Sequence, residues 1–93
     1  MKEFKIRIHS RDDFEKVVTH TVLVGYLGMK SEYYDSLHAL YLQIDGLVKH
    51  SGHPFTFQDC NYKEISVSDF LRLTKKDTQS EPVGANNPAG EKS

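Results

Sequence analysis

His50, His53 and Cys60 form the one local group of side chains with soft or borderline metal-ligand chemistry. A structural zinc site draws four ligands from the protein, and the fourth would have to come from His20, Asp59 or another distant residue. Their spacing matches no zinc signature, so the histidines are read as belonging to a helix end and a loop, and Cys60 to a turn. Cys60 with His50 or His53 could pair as thiolate and imidazolium, but no oxyanion donor accompanies them. Asp12, Asp13 and Glu15 are explained by their place at a helix start, where exposed amides favour negative charge. Gly25 and Gly28 lack the following pattern and charge of a phosphate loop. The expectation is a protein with no catalytic residue, no metal and no cofactor: not an enzyme.

Charge narrows the alternatives. The 93 residues carry 12 Lys plus Arg against 13 Asp plus Glu, a formal net charge of -1, with no block of one sign. A dominant phosphate-binding role is disfavoured. Lys2, Lys5 and Arg7, with Lys63 and Arg72 elsewhere, read as solvated charge and sheet-edge protection, because exposed aromatics do not interleave them. The single cysteine and the charged N-terminus lead us to expect a cytoplasmic protein of a reducing compartment. The apolar stretch from Val22 to Leu27 is interrupted by Gly25 and is too short to span a bilayer.

The elements that would position any site follow from periodicity. Phe4, Ile6 and Ile8 alternate with Lys5, Arg7 and His9, which predicts a half-buried strand. Ser10 followed by Arg11, Asp12 and Asp13 predicts a helix start, continued by Phe14, Val17, Val18 and Thr21. From Val17 to Leu27 helix and strand remain open, since much of this stretch is β-branched. Tyr33, Leu37, Leu40, Ile44 and Leu47 recur at four- and three-residue steps, predicting a long amphipathic helix over 32–50, capped by Ser31 and closed by Gly52. Phe55 and Phe57, then Ile65 and Val67, alternate about a turn at Asp59, Cys60 and Asn61, which predicts a hairpin over 54–67. Ser68 then caps a short amphipathic turn carrying Phe70, Leu71 and Leu73. From Thr74 onward Val83 is the one large aliphatic residue, so residues 74–93 are expected to be a disordered polar tail behind a single domain over 1–73. The expected fold is α+β: a small antiparallel sheet, made of the N-terminal strand and the C-terminal hairpin, covered by one long amphipathic helix and a shorter one.

On the expected long helix, His38, Tyr41, Leu42 and Asp45 share a strip beside Tyr34, and these five residues are the candidate partner-binding surface. Ala39 and Gly46 lie on nearly one line of that helix, where Gly46 would cost about 1 kcal/mol against alanine. Glu32, Tyr33, Tyr34, Leu37, Ala39 and Leu40 resemble, over about ten residues and one residue short, the start of the second helix in the barstar family. Barstar-like proteins are small ribonuclease inhibitors, and the resemblance implies a non-enzymatic inhibitor. After Val67 the chain lacks the long helix and final strand of that fold, so the family is not assigned. The functional expectation is a small protein-binding module, an inhibitor or accessory factor of a larger complex. Its partner would be another protein or a second copy of the chain in a homodimer. A nucleic-acid-binding accessory protein is the alternative, and no membrane partner is expected.

Overall fold

The computed structural model describes residues 1–79, and these form a mixed α+β domain around a four-stranded sheet. The sheet order is β3-β2-β1-β4, with β1 Phe4–Arg7, β2 Ala39–Leu42, β3 Val48–Ser51 and β4 Lys63–Glu64. β1 runs antiparallel to β2, from Phe4 opposite Leu42 to Arg7 opposite Ala39. It runs parallel to the two-residue β4. The expected N-terminal strand is present; one neighbour, β4, lies within the expected 54–67 segment, but the other, β2, comes from the stretch expected as helix, and the sheet is mixed rather than antiparallel.

The helix expected over 32–50 is replaced by a loop and the β2–β3 hairpin. Ala39, Leu40, Tyr41 and Leu42 are all buried, as befits a strand covered on both faces. The reversal is a three-residue connection ending on a left-handed glycine: Gly46 N donates to Gln43 O (2.9 Å), Gly46 has φ +89°, and Gln43 N donates to Leu47 O (2.9 Å). Asp45 accepts the Leu47 amide at 3.0 Å and fixes the turn. Gly46 therefore serves the backbone conformation of a turn, where a side chain would be strained. Gly52 is not left-handed. A Cβ there would meet the Ser36 carbonyl oxygen at 2.7 Å, so its missing side chain admits the loop before β2.

The Ser10 helix is present as α1, Arg11–Leu23, and the open stretch after Val17 resolves as helix to Leu23. Ser10 Oγ accepts from Asp13 N (3.1 Å), and Asp13 Oδ2 accepts from His9 N (3.1 Å). Two amides at the helix start are thereby satisfied. Phe14 and Val17 of α1, with Val24, Tyr26, Leu37 and Phe70, bury one sheet face formed by Phe4, Ile6, Ile8, Leu40 and Leu42. The hairpin expected over 54–67 is instead α2, Pro54–Asp59, followed by β4 and α3, Val67–Leu71. Pro54 occupies the first turn of α2, where its missing N–H is not needed. Ser66, not Ser68, caps α3, accepting from Asp69 N at 3.1 Å.

α2 lies on the other sheet face. Phe57 packs with Ala39 and Tyr41, and Lys5 Nζ donates to Phe57 O (2.6 Å) and Cys60 O (2.8 Å) at the end of α2. The Lys5 and Arg7 cations also stand over the Phe57 ring, 4.5 and 4.8 Å from its centre. The strand's basic outer face thus attaches a helix.

The expected domain end at Leu73 also shifts. Residues Lys75–Thr78 form a further turn, α4, with a capping box between Thr74 and Asp77. Thr78 is fully buried, its hydroxyl donating to Val24 O and its carbonyl accepting from Lys2 N at 2.7 Å. The tail expected over 74–93 therefore begins as packed structure, and residues 80–93 lie outside the described residues. The Thr74 amide and hydroxyl hold the Asp77 carboxyl below the usual carboxylate range, so this capping contribution is present above that range and is lost as pH falls through the lowered value.

Two outcomes follow from this architecture. Leu42→Ala should destabilise as Leu40→Ala does, by about 2–5 kcal/mol each, since both side chains fill the same face. Comparable losses in urea melts are expected; tolerance of Leu42→Ala would refute the strand. Thr78→Val should cost about 1–3 kcal/mol by leaving a buried carbonyl short of its donor, and an unchanged melting temperature would show that α4 is not held there.

Candidate functional site

Large aliphatic side chains are exposed at the end of α1 and in the turn of the β2–β3 hairpin. α1 ends at Leu23, and the chain turns through Gly25 (φ +100°) so that Leu27 N donates to Gly46 O (2.9 Å) at the hairpin tip. Leu27 and Met1 lie over the bare Gly46, where a Cβ would stand 3.5 Å from Leu27 Cγ and 3.6 Å from Met1 Sδ. Val22 reaches back to Gly28, its Cγ2 lying 3.0 Å from where a Cβ would be. The resulting rim carries Val22 (58% exposed), Leu23 (66%), Leu27 (70%), Ile44 (63%) and Leu47 (41%). Single exposed leucines are ordinary on protein surfaces; here five exposed aliphatic residues come from two segments that the Leu27–Gly46 contact holds side by side. Met1 and Ile44 continue from the rim into a concavity of about 680 Å³ whose lining includes Phe4, Ile65 and Leu73.

The expected surface strip does not form, because its residues lie on a strand and its flanks instead of one helix face. Leu42 is fully buried in the main core. Tyr41 faces the opposite side of the sheet, packed against Phe57. His38 precedes β2 and sets its ring edge-on to Phe57, 5.6 Å between centres. Tyr34 lies in the preceding loop and shares a 2.7 Å hydrogen bond with His50 Nδ1. Asp45 stands in the hairpin turn, its carboxylate engaged by Leu47 N. Ile44 and Leu47, expected in the core, are on the rim. The signal that could have revealed them is Asp45-Gly46 between two apolar runs, a hairpin signature.

The residues considered for metal chemistry have other roles. His50 bonds Tyr34, while His53 and Cys60 are the first and last cap positions of α2. His20 is held through Nε2 by Leu73 O at 2.8 Å and packs edge-on to Phe70. Among the described residues no three His, Cys, Asp or Glu side chains are grouped as a metal site. No described helix is long and apolar enough to cross a membrane. No protein-family model matches the chain, and neither does any curated protein or solved structure.

One polar atom is conspicuous beside these satisfied groups. Tyr41 is 6% exposed and its hydroxyl is enclosed without a hydrogen-bond partner. Burial, then the nearby Cys60 thiol and the Tyr34 phenol, raise its pKa above the ordinary phenol value, so near neutrality it is a protonated donor. Because the hydroxyl has lost water without gaining a protein partner, Tyr41→Phe should leave stability unchanged or raise it, by up to about 1 kcal/mol. A clear loss in chemical denaturation would show that the hydroxyl is satisfied in solution.

Proposed function

We propose that this domain is a non-enzymatic protein-binding module that engages its partner through the apolar rim of Val22, Leu23, Leu27, Ile44 and Leu47. The observation that carries this reading is the rim itself, built where the end of α1 meets the tip of the β2–β3 hairpin. Backbone hydrogen bonds and a left-handed glycine fix both supports, so little ordering is needed on binding. Covering these side chains would remove apolar area from water at roughly 25 cal/mol per Å², the usual driving term of association. An inhibitor or accessory factor of a larger assembly would use such an end-on contact, and a second copy of the chain would satisfy the same chemistry. The nucleic-acid alternative draws less support, because Lys5 and Arg7 are committed to α2 and Phe57.

Leu27→Glu and Ile44→Glu test the reading. Both side chains are mostly exposed, so melting should shift by no more than about 0.5 kcal/mol equivalent. Self-association measured by sedimentation, or capture of an identified protein from the native host, should fall at least about tenfold, since a carboxylate in an apolar contact is left unpaired. Association that survives both substitutions would remove the rim from the interface.

A further inference from the structure

The sheet ends at β3, whose outer edge has no neighbouring strand. In an antiparallel pair, residues that exchange main-chain bonds alternate with residues that do not. Gln43 N donates to Leu47 O, and one step of two residues along the same register brings Tyr41 opposite Lys49, so Lys49 bonds inward to β2. Val48 and His50, opposite Leu42 and Leu40, therefore turn their N–H and C=O groups outward. The β1–β2 ladder agrees with this phase: Ile8 N donates to His38 O, and in that register Leu40 and Leu42 bond to β1. Among the described residues no main-chain group outside the sheet bonds Val48 or His50. Two donor–acceptor sets, two residues apart on one line, are what an added strand pairs with.

The side chains on this edge select by charge. Lys49 and His50 are exposed, and Lys49 has no carboxylate partner: among the described residues the one ion pair is Lys16 with Asp12. The open groove on the α2 side of β3, whose walls include Lys49, His50, Ser51 and Thr56, has no Asp or Glu in its lining. We infer that β3 receives an extended acidic segment of a partner protein as a fifth, antiparallel strand. Two residues of that segment exchange bonds with His50 and Val48, and the residue between them lies directly opposite Lys49, in the closer side-chain pairing, where a carboxylate is favoured. The residue opposite Val48 is apolar, because Val48 is half-buried against the main core. A second copy of the chain fits less well. The two-fold arrangement that uses both outward residues of each strand sets the two Lys49 side chains opposite each other, and like charges there are destabilising. The inference uses the main-chain groups of β3 and is independent of the reading given for the apolar rim.

The test is an acetylated and amidated peptide, Thr-Thr-Val-Glu-Val-Thr, titrated into the full chain and followed by amide chemical shifts and hydrogen exchange in 15N-labelled protein. Saturable shifts are expected, with exchange slowed at the Val48 and His50 amides and unchanged at Lys49, which is already bonded. The same peptide with both valines N-methylated should not bind. Replacing its glutamate by lysine should weaken binding by about three- to tenfold, the effect of turning a cross-strand attraction into a repulsion. Lys49→Glu should reverse that preference. His50→Pro removes one outward donor without touching the bonds to β2, so the folded variant should lose the response. No saturable shift at millimolar peptide, binding that survives N-methylation or His50→Pro, or equal binding of the lysine peptide would each overturn the inference. Protection of the same two amides in concentrated protein without peptide would give the edge to a second copy and overturn the acidic occupant.

Discussion

The position of β1 at the interior of the sheet is the constraint on which the other elements depend. All four residues, Phe4 to Arg7, pair with β2 on one side, and Phe4 and Lys5 pair with β4 on the other. Their side chains alternate between two differently built layers. Phe4 and Ile6 enter the apolar core under α1 and α3, while Lys5 and Arg7 meet the ring and terminal carbonyls of α2. Apolar burial holds one layer, and cation–aromatic contact with helix-end capping holds the other. A slip of one residue would send two cations into the core, so β1 fixes the register of the whole sheet.

Segments with local, redundant signals were legible in the sequence. β1 showed strict alternation, and α1 showed a capping serine, acids in its first turn and apolar residues at helical steps. Over 32–50 the hairpin also satisfies a helical spacing, because a buried strand of four apolar residues is followed by Ile44 and, three residues after it, Leu47. What distinguishes the two is the short length of the run and the Asp45-Gly46 pair, whose left-handed glycine belongs to a hairpin and not to a helix interior. Pro54 likewise announced α2, against the misleading alternation of Phe55 and Phe57. Thr74 and Asp77 had capping-box spacing in a stretch that composition alone marked as unable to pack. Composition describes what a segment can bury by itself; Thr78 is buried by what Val24 and Lys2 offer it.

The candidate sites were not legible, for a different physical reason. The rim brings residues 22–27 beside residues 44–47, where Leu27 N donates to Gly46 O and the Leu27 side chain lies over Gly46, a contact no sequence spacing encodes. Tyr34, His38, Tyr41, Leu42 and Asp45 were grouped because a helix would have aligned them; a strand divides alternate residues between faces, sending Leu42 inward and Tyr41 to α2. Tyr41 remained in a site of interest through a property that no spacing encodes, the enclosure of its hydroxyl without a partner.

The domain holds two opposite kinds of imperfection. At the rim, aliphatic groups remain in water although the backbone beneath them is well bonded, so a partner contributes by removing apolar area. At Tyr41 a donor has been taken out of water without an acceptor, so its hydroxyl costs the fold stability. The β2–β3 hairpin carries both: its tip holds Ile44 and Leu47, and β2 holds Tyr41. The buried Leu40 and Leu42 hold the register of that hairpin, since a slip of one residue would exchange its two faces.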